Sequence, residues 1–575
     1  MKETHETPIR FTGCQSRSGP LTRGQDNILR VLLSGADQAA LSAIVDISAD
    51  IEFARIADAI GALMMRHESL RTTYRLGSPI LQSVAADGEL TMAVHAVSDT
   101  GDFAAKLRRK LWARFFDLEQ EFPLRAELVT GGGPLNHLVL VVSHLAADGV
   151  AFKLVLDELT ELLAGRPLPP PGVQPLDVVE LESTPAMRRR LEATHKHWDT
   201  VLRGSPQSLF GTPVPADPAH QHGLLIRSAP VAAAIDRIAK RTEASRSAVA
   251  LAAFAVLVSY RTRNASVTVT STAANRFQSA LHDYVGTLAM DAVLGVDLRS
   301  AETFDQAVTI AARSSLKALW HGSFDTPELW DTINRVGHER GIQSYTRECL
   351  FNDMSPADAA DGQVFVDDFE LVGTPDAAAD RLVDPELGEF TVLRQDFQPS
   401  RLRLNIFWLH TELLATVWAD PLCLTGDETV GFGRGLARLL TTAADGDLAL
   451  AELGSVVELS PVPRGDGWYL IDSSWIELGA VRELVAEVVG TRPFLVTVFQ
   501  GTRLTCYVAD KSGTLTPEQL HRDCTAALPG RSSAMAPHRY IVCRRTPDDP
   551  SDPASWRLQP AREGTGRIEP TGVAQ

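Results

Sequence analysis

The sequence predicts an α/β chain, built of α+β layers and divided into two or three domains, and three observations carry that expectation. Short apolar strands alternate with amphipathic helices along the length of the chain. A stiff Pro-rich connector, Gly165-Arg-Pro-Leu-Pro-Pro-Pro-Gly172, closes off one unit. The 575 residues also exceed what one ordinary core accommodates. Alternation of this kind names the layers and leaves the topology open.

Taken in order, residues 41–47 read as a strand, and residues 52–66 space Phe53, Ile56, Ile60 and Leu63 along one helical face. Residues 137–143 form a nearly unbroken apolar run, the pattern of a strand buried on both faces. Beyond the connector, 267–272 suit a strand, 304–318 a helix, 406–420 a hairpin and 431–440 a helix, with 441–447 as a loop. A smaller unit begins near residue 455, with strands at Phe494–Phe499 and Leu504–Val508 and a helix opening at Thr516-Pro517-Glu518. The last 30 or so residues, rich in Pro, Asp and Arg, are expected to be poorly ordered.

The net charge of −17 argues against nucleic acid as a main partner, because phosphate binding needs a net basic face. Six cysteines (Cys14, Cys349, Cys423, Cys506, Cys524, Cys543) have no CxxC pairing, so neither a disulfide framework nor a zinc site is expected. Residues 1–13 hold no apolar signal stretch, and no apolar run approaches the roughly 20 residues a bilayer needs. These features predict a soluble, cytoplasmic protein with no resident cofactor or metal.

The segment richest in chemistry is Leu138-Val-Leu-Val-Val-Ser143-His144-Leu-Ala-Ala-Asp148-Gly149. A buried strand delivers a histidine at its end, a turn follows with Gly149 where a side chain would clash, and a helix begins. In that helix Phe152, Val155, Leu156, Leu159 and Leu163 share a stripe. A strand end backed by a rigid core fixes an imidazole well, and histidine has the unperturbed pKa nearest the range useful for proton transfer. A core histidine beside a helix-capping Asp would give the same string, so the motif alone leaves both readings open.

Further segments decide between them. Leu21-Thr-Arg-Gly-Gln25 opens the series, and Arg66-His-Glu-Ser-Leu-Arg71-Thr follows the helix at 52–66. Then come Phe116-Asp-Leu, Phe122-Pro-Leu-Arg125, Ala274-Asn-Arg276, Tyr284-Val-Gly286 and Phe351-Asn352-Asp353. With His144-x-x-x-Asp148-Gly149 they resemble, in order and over about residues 20–450, the condensation domains of nonribosomal peptide synthetases. The resemblance implies two chloramphenicol-acetyltransferase-like lobes in a V-shaped pseudo-dimer, spanning 1–175 and 176–452, with a tunnel between them. It implies a donor thioester on the phosphopantetheine of a carrier protein, entering from one face, and an amine or hydroxyl acceptor entering from the other. His144 would stand where they meet, as base or as positioning group. Asp148 would be structural, paired with Arg276 or Arg71. Gly149 would leave room for the pantetheine arm and offer its N–H to oxyanion charge. Such a tunnel works chiefly by orientation and exclusion of water. A catalytically inactive scaffold that binds synthetase modules is the reading from a different class.

Three departures from the family stand out. Ser143 replaces the first histidine of the usual pair and should face away from His144. Met290 and Gly295 occupy positions where the family commonly has Asn and Arg, near the expected acceptor side. The chain holds no carrier-domain motif, which predicts a free-standing enzyme whose carriers come on separate proteins.

Residues 453–575 resemble something else. Trp475-Ile-Glu477-Leu-Gly479, Leu504-Thr-Cys-Tyr-Val-Ala, Leu515-Thr-Pro-Glu-Gln-Leu520 and Ala527-Leu-Pro529 are similar to the small C-terminal subdomain of adenylation domains. That family's closing Asn-Gly-Lys is replaced by Gly564-Thr-Gly-Arg567, so this unit is expected to be non-catalytic. Two basic clusters, Lys106/Arg108/Arg109/Lys110/Arg114 and Arg188/Arg189/Arg190/Lys196, read as solvated helix faces or as docking sites for acidic carriers.

Overall fold

The computed structural model describes residues 3–13, 15–33, 39–212, 221–343, 347–356, 381–395 and 400–567. A five-stranded sheet runs in the order Glu3–Phe11, Gly88–Ala96, Leu124–Thr130, Leu135–Ser143, Ala40–Ser48. Its second and third strands are parallel and its other pairs antiparallel. Helices Phe53–Arg66 and Gly149–Leu163 pack on one face, where Ile56, Ile60, Leu63, Phe152, Val155 and Leu159 meet Leu138, Leu140 and Val142. Helix Thr100–Trp112 covers the other face, setting Leu107 and Leu111 against Val139 and Val141. Cover on both faces is why the run 138–142 carries no alternation.

An eight-stranded sheet has the order Met290–Asp297, Ser266–Ala273, Cys349–Asp353, Leu402–Leu409, Leu413–Ala419, Gln221–Ser228, Gly388–Gln395, Arg381–Asp384. The expected hairpin is its pair Leu402–Leu409 and Leu413–Ala419. Helix Arg246–Thr262 is apolar all round because every residue from Ala248 to Val258 is buried in this lobe's core. Among the described residues no single helix is long and apolar enough to cross a membrane; one pair, bent by 102° between Thr242 and Arg246, passes on length and composition only. The expected loop at 441–447 is helical as far as Asp445, since Ala443 and Ala444 pack into the core and keep the helix Gly426–Asp445 intact up to Gly446.

After residue 455 come the hairpin Trp468–Ile471/Ser474–Glu477 and a sheet ordered Phe494–Phe499, Arg503–Ala509, Arg539–Cys543, Ala561–Gly564. Helices Leu478–Val489 and Pro517–Ala526 pack against it. The expectation of poor order in the tail is corrected over 546–567. Trp556, on the short helix Pro553–Arg557, is fully buried against Tyr507, Ile541 and Cys543. Its indole N–H donates to the Pro550 carbonyl at 2.9 Å. One anchoring aromatic outweighs a polar average composition; residues 568–575 lie outside the described residues.

The thiols of Cys349, Cys423, Cys506, Cys524 and Cys543 are free and buried, and Cys14 lies outside the described residues. Among the described residues no group of three or more His, Cys, Asp or Glu side chains converges as a metal site would require.

Candidate active site

The strand Leu135–Ser143 brings His144 to the edge of the first core. Ser143 is registered against Ala40 of the neighbouring strand, and the His144 N–H donates to the Ala39 carbonyl at 2.7 Å, so the ladder holds the histidine's backbone one step beyond the strand. The Ser143 carbonyl then accepts from Ala146 and Ala147 at 2.9 and 3.3 Å, closing a tight turn. Leu145, Ala146 and Ala147 are fully buried, whereas His144 is only half-buried. Ser143 is buried and its hydroxyl accepts from the Leu145 N–H at 3.4 Å, so it serves the turn.

Asp148 caps the helix Gly149–Leu163, accepting from the Ala151 N–H at 3.0 Å. The same carboxylate takes both terminal nitrogens of Arg276, at 2.7 and 2.8 Å, and the backbone N–H groups of Leu288 and Ala289, at 2.9 and 3.0 Å. Side-chain exposure is 7% for Arg276 and 1% for Asp148. Arg276 also donates to the carbonyls of Ala274, Tyr284 and Gly286. The partners lie in the connection between two strands of the second sheet, Ser266–Ala273 and Met290–Asp297. One carboxylate thus ties the histidine turn of the first sheet to the ends of two strands in the second. A buried ion pair is favourable only when its remaining donors and acceptors are satisfied, and here the carboxylate has five.

Of the two candidate partners for Asp148, Arg71 is corrected. It donates to the carbonyls of Gln15 and Ala85 and lies 3.8 Å from Glu68. Its neighbours in the motif clamp the helix behind the site. Arg66 Nε lies 3.0 Å from both Glu158 oxygens, and His67 Nε2 lies 2.6 Å from one of them. Burial alone would raise the Glu158 carboxyl, but the His67 and Arg66 partners hold it below the usual carboxylate range. Arg125 is likewise structural: it stacks on Phe116 and donates to the carbonyls of Leu111, Arg114 and Phe115.

A polar network behind His144 escaped the sequence reading. The Tyr74 hydroxyl donates to the Leu145 carbonyl at 3.4 Å and accepts from Gln25 Nε2 at 3.4 Å. Gln25 also donates to Gln82 Oε1 at 3.1 Å, and Gln82 donates to the Pro20 carbonyl at 2.8 Å. All three side chains are buried, and burial pushes the Tyr74 phenol far up, so it stays neutral. The only sequence signal was Gln25 within the opening helix.

Gly149 is exposed, and a Cβ there would meet nothing within 4 Å, which corrects the expectation of a clash inside the protein. As the first helical residue, its N–H has no acceptor within the helix. Met290 is buried with Trp198, Val293, Phe324 and Ile333, and it borders a cavity of about 30 Å³ shared with Leu288, Asn275 and Glu182. Gly295 is exposed on the same strand.

The basic clusters split. Arg108 is 7% exposed and Arg114 lies past the helix end, so neither shares an exposed helical face with Lys106, Arg109 and Lys110. Arg190 stacks on Trp320 and Phe277 and donates to the Trp320 carbonyl, while Arg188, Arg189 and Lys196 are exposed.

Residues 19–352 match a family profile described as Condensation domain. Surfactin synthase subunit 2 of Bacillus subtilis (strain 168) is 25% identical over 53% of this chain, and that match spans 8% of the relative's length. Bacitracin synthase 2 of Bacillus licheniformis is 24% identical over 60% of this chain and 13% of its own length. Among solved structures, the condensation domain of the monacolin K polyketide synthase MokA superposes with a TM-score of 0.59 at 16% identity, covering 76% of this chain and 99% of that one. The fold they share is the chloramphenicol-acetyltransferase-like α/β fold.

Proposed function

We propose, from the premise that this chain belongs to the condensation-domain family, that it joins a carrier-bound acyl or aminoacyl thioester to an amine acceptor in nonribosomal peptide biosynthesis. The observation that carries this reading is the Asp148–Arg276 staple, which fixes the turn bearing a half-exposed His144 against the second lobe. The donor arrives on the phosphopantetheine arm of a carrier protein, and the open space at Gly149 supports a passage for that arm.

In the reaction the acceptor nitrogen attacks the thioester carbonyl. The C–N bond forms as the C–S bond breaks, and the released thiolate ends protonated. His144 holds or takes the proton leaving the amine, and the Gly149 N–H faces the oxyanion charge. Because the thioester is already activated, orienting the two substrates and excluding water lower the barrier most. Asp148 and Arg276 are positioning residues that never touch substrate.

Ester formation to a hydroxyl acceptor is the second reading. Met290 favours it, since an apolar, buried side chain stands where the family places a polar one on the acceptor side. The scaffold reading requires His144 to do nothing.

We divide the chain at 1–175, 176–452 and 453–575, and read the last unit as adenylation-like but non-catalytic. It should support no ATP–pyrophosphate exchange with any amino acid. The deciding experiment is single-turnover transfer from a loaded carrier to amine and hydroxyl acceptors, followed by intact-protein mass spectrometry. Product with the wild type, formed much more slowly with His144→Ala, supports the enzyme; transfer by both proteins no faster than the protein-free background gives the function to the scaffold.

A further inference from the structure

A second cavity, of about 490 Å³, lies far along the chain from the histidine turn and is lined by Arg203, Glu339, Arg340, Asp472, Thr502, Arg503, His538 and Arg567. Its walls come from two sources. Arg203, Glu339 and Arg340 sit at the ends of helices Pro185–Gly204 and Thr326–Arg340 of the second lobe, and the rest belong to the unit after residue 455.

The charges do not balance. Arg203 is paired with Asp199 and Glu339, and Arg340 with Asp472 at 2.8 Å. Among the described residues neither Arg503 nor Arg567 has a carboxylate partner. Arg567 donates only one terminal nitrogen, to the Arg340 carbonyl at 3.0 Å, and its Nε is buried with no hydrogen-bond partner. His538 accepts from the Leu504 N–H at 3.2 Å, and burial, with Arg567 close by, pushes it down to about 4, so it adds no charge at neutral pH. Arg335 shares Asp199 and Glu339 with Arg203, so that group is neutral, Asp472 offsets Arg340, and Arg503 and Arg567 leave an excess of two positive charges on a chain whose net charge is −17.

We propose that this cavity binds the phosphate of a small phosphomonoester. A phosphomonoester carries about −1.5 to −2 charges at neutral pH, which matches the excess, and guanidinium forks suit its oxygens. The volume falls within the about 300–1,000 Å³ of small-molecule sites and leaves room for the organic part of the ligand. Since the walls come from both units, the bound phosphate bridges the second lobe and the C-terminal unit. The site is independent of transfer at His144.

The test is calorimetric titration of the full chain with AMP and with pantetheine 4′-phosphate, using adenosine and pantetheine as phosphate-free controls. The expected result is binding of at least one phosphorylated probe with silent controls, weakened by about tenfold or more in Arg503→Gln and in Arg567→Gln, the loss typical of one charge-assisted hydrogen bond. The tighter of the two probes identifies the source of the phosphate. Arg503 is exposed and, among the described residues, pairs with no carboxylate, so its variant folds and decides the matter even if Arg567→Gln does not. No heat with either phosphorylated probe, equal binding of the controls, or wild-type affinity in Arg503→Gln would overturn the proposal.

Discussion

Asp148 and Arg276 stand 128 positions apart in the chain and meet in a two-pronged ion pair almost sealed from solvent, in which backbone N–H groups meet the carboxylate's other acceptor sites and backbone carbonyls take further bonds from the two terminal nitrogens of Arg276. Removing one partner of such a pair leaves an uncompensated buried charge, which is typically worth about 3–5 kcal/mol. Asp148→Ala should therefore lose activity together with melting temperature, and near-isosteric Asp148→Asn should recover part of the stability. His144→Ala should stay folded and lower kcat by about 10²–10⁴-fold if the imidazole moves the proton, and by less if it only orients the amine. Thermal melting with single-turnover transfer separates the two. An early-melting His144→Ala beside a folded, dead Asp148→Ala would reverse the assignment.

The Tyr74 hydroxyl holds the carbonyl of Leu145, the residue next to His144. Tyr74→Phe removes both hydrogen bonds of that hydroxyl, to the Leu145 carbonyl and from Gln25, so a stability loss of about 1–3 kcal/mol is expected. If the turn sets the imidazole, kcat should fall while KM for the loaded carrier stays constant. An unchanged kcat would make the network purely structural.

Glu158 links acid stability to the clamp behind the site. Its folded pKa lies below its unfolded value, so its contribution is fully present above the usual carboxylate pKa, about 4.3, and is lost as pH falls through the folded value. Glu158→Gln should lower the melting temperature at neutral pH and flatten its decline on acidification below that point. Melting curves recorded across the acid range check both parts.

The exposed arginines are the ones to test for carrier docking. Arg109→Glu and the double change Arg188→Glu with Arg189→Glu should raise KM for a carrier-bound donor and leave a pantetheine-thioester mimic unaffected. Added salt should act like the substitutions, since exposed charges are screened beyond about 8 to 10 Å. Arg108→Glu should instead lower the melting temperature, because that side chain is buried. Equal loss with the mimic would assign these residues to folding or to the tunnel.

Met290→Asn would bring an amide into a cluster of Trp198, Val293 and Phe324. A buried, unsatisfied polar group costs about 1–3 kcal/mol, so a lower melting temperature is expected. The ratio of kcat/KM for amine against hydroxyl acceptors should shift while donor use holds. Identical selectivity would mean that this position does not read the acceptor.

What the sequence determined by itself was local: the two-sided apolar run of 138–142, the histidine one step past it, the capping Asp148 at the next helix, and the order of motifs from Gln25 to Asp353. Such features follow from periodicity and capping, which act among near neighbours in the chain. The tertiary structure decided partners. Arg276 rather than Arg71 meets Asp148, because Arg71 is drawn to the carbonyls of Gln15 and Ala85. Arg108 turns inward from a helix that reads as evenly basic, and Trp556 orders a tail whose composition suggests none. Each of these outcomes depends on which groups the packing of distant segments brings within a few ångströms, and no window of sequence contains that information.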